Sequence, residues 1–136
     1  MPTKHKSTNH SVYSLNYHIV LVTKYRRKVF FDEVEFFLKK RIREICLQYN
    51  WDLIVSETMP DHVHIFVSAA PSIAPVTVAK TIKSITTVDI FRKFKNLKKQ
   101  KFWGSGLWSR GTYYGSAGSV SAKIIKRYIQ NQKKAK

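Results

Sequence analysis

A chain of 136 residues, 43% of them hydrophobic, has the size and apolarity of one domain around a single core and is too apolar for disorder. Its 25 Lys and Arg against 8 Asp and Glu leave a formal charge of +17, which points to nucleic acid ahead of an acidic membrane surface, since no isolated basic amphipathic helix is present. The absence of any apolar run of about 18 residues, the polar basic start and the lone Cys46 argue against a membrane span, a signal peptide and an internal disulfide, and imply a cytoplasmic protein.

Residues 1–11 read as a basic, flexible arm on a single domain spanning residues 1–136, with a basic tail at about 133–136. From Tyr13 to Thr23 the chain alternates: Leu15, Tyr17, Ile19 and Leu21 on one face, Ser14, Asn16 and His18 on the other. This predicts a strand. The cluster Lys24, Tyr25, Arg26 and Arg27 follows, either a solvated turn or phosphate contacts beside a base-stacking ring. Asp32 and Glu35 then make a capping-box-like start to a helix whose Phe37, Leu38, Ile42, Ile45, Cys46 and Tyr49 form one buried stripe. Within that stripe Cys46 reads as a core thiol, not a nucleophile. Asn50 ends the helix, and Lys39, Lys40, Arg41 and Arg43 lie mainly on its other faces.

Trp51 to Thr58 reads as a second strand, and Met59-Pro60-Asp61 is a tight connection into a third, so the two make an antiparallel hairpin. On the third strand, His62 and His64 share a face, roughly 7 Å apart, while Val63, Ile65 and Val67 face a core. Two imidazoles on a rigid strand are part of a metal site with open positions, or two ordinary strand histidines; His-x-His alone does not decide. Thr77 to about Phe94 predicts a second helix, with Val78, Ile82 and Ile85 inward and Lys80, Lys83, Arg92, Lys93 and Lys95 outward. Lys95 to Lys101 reads as a basic, mobile loop. The run from Phe102 to Arg110 is aromatic, glycine-rich and basic, and leads to a fourth strand at Thr112-Tyr113-Tyr114. Gly115 to Ser119 is a natural hinge, and Ser119 or Ser121 caps a last helix that reaches about Gln132.

The order β-α-β-β-α-β plus a terminal helix is that of an α+β, ferredoxin-like split β-α-β sandwich with two helices on one sheet face. Its first and third strands are central neighbours, which puts Asn16, His18, His62 and His64 on the face the two helices leave open. On the last helix, Ile124, Tyr128 and Gln132 recur at four-residue spacing, so Tyr128 and Gln132 reach toward one point; a tyrosine among isoleucines also suits a core.

The segments Ser11 to His18, Lys24 to Arg27, Met59 to His64, Leu107-Trp108-Ser109 and Arg127 to Gln132 resemble the small single-tyrosine transposases of insertion sequences that move as single-stranded DNA. These belong to the HUH endonuclease superfamily. The resemblance covers nearly the whole chain, in order, with a departure at Arg110 and a weak match from Pro71 to Lys101. It implies that His62, His64 and Gln132 hold one Mg2+ or Mn2+ and that Tyr128 attacks phosphorus to leave a 5′-phosphotyrosine; Asp61 is either a carboxylate that orients a histidine or a plain turn residue. It further implies recognition of DNA hairpin ends and a homodimer with composite active sites. Lys24, Tyr25, Arg26, Arg27, Trp108 and Arg110 are the DNA-contact candidates. Two other readings remain: a repeat-processing or replication-type nickase of the same superfamily, and a non-catalytic single-strand binder on the same sheet.

Overall fold

Lys6–Ser7 (β1) and Val12–Tyr13 (β2) pair antiparallel, so part of the arm expected to be free is a short ribbon. In the computed structural model, residues 6–7, 12–13, 15–102 and 106–118 are described. The expected last helix, with Tyr128 and Gln132, lies outside the described residues.

The main sheet is built from β3 (Leu15–Thr23), β4 (Asp52–Met59), β5 (His62–Ala69) and β6 (Trp108–Gly118). Their order is β4-β5-β3-β6, every pair antiparallel. The first and third of these strands are therefore the central neighbours, as the split β-α-β arrangement requires. Helices α1 (Asp32–Gln48) and α2 (Pro75–Lys93) cover one face. Against them pack Ile19 and Leu21 of β3 and Val63, Ile65 and Val67 of β5, all fully buried, together with Leu38, Ile42 and Ile45 of α1 and Val78, Ile82 and Ile90 of α2. A shift of β5 by one residue would turn this apolar set to the opposite face, so the core fixes the register and, with it, where the histidines point.

Several local expectations change. The start of α1 has no capping box: Phe31 occupies the cap position without a side-chain bond, and its carbonyl accepts from the Val34 amide at 3.0 Å and the Glu35 amide at 3.3 Å. Asp32, Glu33 and Glu35 instead place negative charge at the positive end of the helix dipole. Tyr49 is exposed and stacks on Trp51, leaving Leu38, Ile42, Ile45 and Cys46 as the buried stripe. Arg41 is not directed to solvent alone; its Nε donates to Asp89 Oδ2 of α2 at 2.9 Å, tying the two helices.

Helix α2 begins earlier than expected, with Pro75 in the first turn where its missing amide costs nothing. Lys83 is not outward either. Its Nζ donates to the Ser109 carbonyl at 2.9 Å and to Thr112 Oγ1 at 3.1 Å, fastening α2 to β6, and burial lowers its pKa. The expected loop at Lys95 to Lys101 is a third helix, α3 (Lys95–Phe102). Two apolar side chains anchor it: Leu97 packs on the core, and the fully buried Phe102 meets Phe91. The proposed hinge is strand as far as Gly118, since Gly115, Ser116 and Gly118 lie in register with His18, Tyr17 and Asn16. Ser119 lies outside the described residues. Among those described, no helix is long and apolar enough to cross a membrane.

Candidate metal centre on the open sheet face

Alternation along β5 puts His62, His64 and Phe66 on the face away from the two helices, and the ladders add neighbours. His62 lies opposite Val22 and Met59, His64 opposite Val20 and Glu57, and Phe66 opposite His18 and Val55. The two imidazoles stand edge to face with centroids 5.1 Å apart. Both are partly buried, so the pair is walled by the sheet yet reachable from outside.

Asp61 holds His62. Its Oδ1 accepts from His62 Nδ1 at 2.7 Å, while its Oδ2 accepts from Arg26 Nε at 3.1 Å. Burial alone would raise the Asp61 carboxyl, but the hydrogen bond from His62 and the charge of Arg26 outweigh it, so its pKa is lowered. An ionised carboxylate only accepts, so His62 Nδ1 carries a proton, and in the neutral ring the lone pair is then on Nε2.

Arg26 reaches Asp61 because of an unusual backbone. A single 3-10 turn over Lys24–Arg26 ends β3, and inside it Tyr25 and Arg26 both take left-handed conformations, with φ of 61° and 51°. Left-handed backbone is costly for side chains of this size and persists only where surroundings over-determine it. Here the surroundings are the Pro60-Asp61 turn. The Thr23 amide and Oγ1 donate to the Asp61 carbonyl at 3.0 and 3.2 Å, and the Val29 and Phe30 amides donate to the Pro60 carbonyl at 2.9 and 3.0 Å. The basic cluster is thus laced to the turn that launches the histidine strand.

A third histidine completes the cluster. His18 Nε2 lies 3.0 Å from His64 Nδ1, and the His18 ring stacks on Phe66 at 4.1 Å with 11° between planes. Tyr113 also meets the His18 ring, in a T-shaped contact with centroids 5.6 Å apart. Burial lowers the pKa of His18. Gly115, opposite His18 in the ladder, gives Tyr113 its place: a Cβ there would meet the Tyr113 hydroxyl at 2.9 Å.

Of the sequence candidates, Asp61, His62, His64 and Arg26 come together. Tyr25 is exposed, and the Arg27 guanidinium lies 6.0 Å from its ring centroid; Lys24 is partly buried and Arg110 exposed. Trp108 is different. It is 7% exposed, packs on Phe30, and donates its indole N–H to Thr86 Oγ1 at 3.0 Å, which makes it a core side chain. Tyr128 and Gln132 lie outside the described residues. His18 was missed as a site residue, and its signal was available: it sits on the polar side of β3, one alternation step from the direct partner of His64. Cys46 is buried, with its thiol pushed up to about 12 mainly by burial, and takes no part.

Among the described residues, no three His, Cys, Asp or Glu side chains are grouped to hold a metal ion. The histidine pair therefore fits a divalent ion only if a further donor joins it, and an amide oxygen together with water would complete a mixed nitrogen-oxygen set suited to Mn2+ or Mg2+. Asp61 behind His62 is the kind of partner that metal-bound imidazoles have.

The model of the family described as "Transposase IS200 like" matches residues 11–132. The chain is 33% identical over 132 residues to the ISDra2 transposase TnpA of Deinococcus radiodurans, covering 97% of this chain and 94% of that one. It is 29% identical over 127 residues to the transposase for insertion sequence element IS200 of Salmonella typhimurium, covering 93% and 82%. Among solved structures, a candidate transposase from Deinococcus radiodurans superposes with a TM-score of 0.76 at 35% identity, covering 93% of this chain and 97% of that one. A REP-associated tyrosine transposase bound to a REP hairpin superposes at 0.55 with 10% identity, over 90% of this chain and 67% of that one, a likeness of fold.

Proposed function

The chain belongs to the IS200-like transposase family, and from that premise we propose that it cuts and rejoins single-stranded DNA at insertion-sequence ends by tyrosine transesterification. The observation that carries this reading is the His62 and His64 pair on one strand face, with the Asp61 carboxylate fixing His62 from behind.

In this mechanism His62, His64 and Gln132 would hold the ion, and Mg2+ or Mn2+ there would supply Lewis-acid charge withdrawal from the phosphate and stabilisation of the departing 3′-oxygen. Tyr128 Oη attacks phosphorus in line with that oxygen; the new bond is O–P, the broken bond is P–O3′, and the products are a 5′-phosphotyrosine and a free 3′-hydroxyl. A phenol with a pKa of about 10 gives up its proton to solvent or a nearby base during attack. Because the phosphotyrosine keeps the free energy of the phosphodiester, a 3′-hydroxyl reverses the step without ATP.

Lys24, Tyr25, Arg26, Arg27 and Arg110 are the DNA contacts we assign around this centre. Hairpin ends as substrate, and a homodimer in which one subunit's tyrosine helix completes the other's histidine site, belong to the same proposal and rest on the family resemblance. The test is a cleavage assay on oligonucleotides carrying the element ends. His62→Ala and His64→Ala should each lose cleavage by more than about 100-fold and lose Mn2+ binding, with single-strand affinity kept. Full cleavage in EDTA, or by either variant, would refute the metal role.

A further inference from the structure

We propose that His18 is a positioning residue for His64, holding it in the tautomer and ring orientation that present Nε2 to the divalent ion. The inference rests on the metal reading above and extends it to a residue with no role in that reading.

The geometry of the two ligand candidates is parallel. His62 has its Nδ1 held at 2.7 Å by Asp61, and His64 has its Nδ1 held at 3.0 Å by His18 Nε2. In each ring the nitrogen nearer the backbone is engaged from behind, which assigns the ligand role to Nε2. Between two neutral imidazoles one nitrogen donates and the other accepts. If His64 Nδ1–H donates, His64 Nε2 carries a lone pair and can ligate. If His18 Nε2–H donates instead, His64 Nε2 carries the proton and cannot. Ligation through Nε2 therefore requires His18 to be the acceptor.

Packing fixes the place of His18 Nε2 beside His64. Its ring lies flat on Phe66, directly opposite in the β3–β5 ladder, with the Tyr113 edge on it and Gly115 across from it in β6. A ring clamped in this way cannot swing from His64 without disturbing both neighbours. The acceptor behind His64 is a neutral ring where that behind His62 is a carboxylate. His64 is consequently the less electron-rich ligand of the two.

Two substitutions separate acceptor from shape. His18→Phe keeps a flat ring on Phe66 and removes the acceptor. His18→Gln places an amide oxygen near the position of Nε2 and restores one. The readouts are Mn2+ affinity of the full chain without DNA, and the His64 tautomer by long-range 1H–15N NMR on metal-free protein at about pH 8, above the ordinary imidazole range. Wild type should show His64 as the Nδ1–H tautomer. H18F should lose that tautomer and bind Mn2+ about 10- to 100-fold more weakly, and H18Q should recover most of both. An Nε2–H tautomer in wild type, or wild-type Mn2+ affinity in H18F, would overturn the proposal. So would an H18Q protein no better than H18F. His64→Ala is the control that keeps the two readings apart: if it binds Mn2+ like wild type, the metal reading itself fails, whereas loss in H64A with none in H18F defeats only the role of His18.

Discussion

Trp108 lies in a run of aromatic, glycine and basic residues that as a sequence suits base stacking, yet the fold turns its ring inward against Phe30 and bonds its N–H to Thr86. Trp108→Phe should lower the unfolding free energy by about 1–3 kcal/mol, from a lost buried hydrogen bond and lost packing. Single-strand affinity should stay at the wild-type value. Denaturant unfolding and fluorescence anisotropy check the two halves, and weaker binding at unchanged stability would put the ring back among the DNA contacts. Arg26 is the opposite case. Its sequence context suggests a phosphate contact, and the structure also gives it Asp61, through two consecutive left-handed residues that no side-chain pattern announces. Composition marked the cluster as basic, but only the backbone joined it to the histidine strand.

At the scale of elements, α3 marks the limit of periodicity as a guide. Leu97 and Phe102 are its apolar anchors among eight residues rich in lysine, too few to repeat at helical spacing, and tertiary burial decides the conformation. Phe102→Ala should therefore cost about 3–5 kcal/mol in chemical denaturation, as expected for a fully buried aromatic. A cost below about 1 kcal/mol would mean that the segment is the loop its sequence resembles. The long elements were legible for the converse reason. β3 and β5 show alternation broken only by short apolar runs, a two-residue connection forces β4 and β5 into a hairpin, and the split β-α-β order then makes β3 and β5 neighbours. Strand order put His18 and His64 on one face in advance. Their contact needed the register as well, because the direct partner of His64 is Val20 and His18 meets it on the diagonal. The length of β6 was hidden by its glycines, which pair with β3 where a hinge was expected.

For the whole molecule, the charge of +17 has a structural side. Asp61, Glu44 and Asp89, three of the few acids, are bound to Arg26 and Arg41 within the fold, so they do little to offset the lysines elsewhere. What remains is a large excess of basic charge on a fold whose open sheet face carries three histidines, and such an excess favours a polyanion such as a phosphate backbone. The proposed reaction centre has one half on the sheet, at His62 and His64, and the other half at Tyr128. The most direct measurement is to incubate the protein and Mn2+ with single-stranded oligonucleotides spanning the element ends, isolate any denaturation-resistant adduct, and map it by mass spectrometry. The account predicts a nucleotide joined through a 5′-phosphate to Tyr128, absent in Tyr128→Phe and absent in EDTA. An adduct that persists in Tyr128→Phe, or cleavage with no covalent intermediate at all, would contradict it.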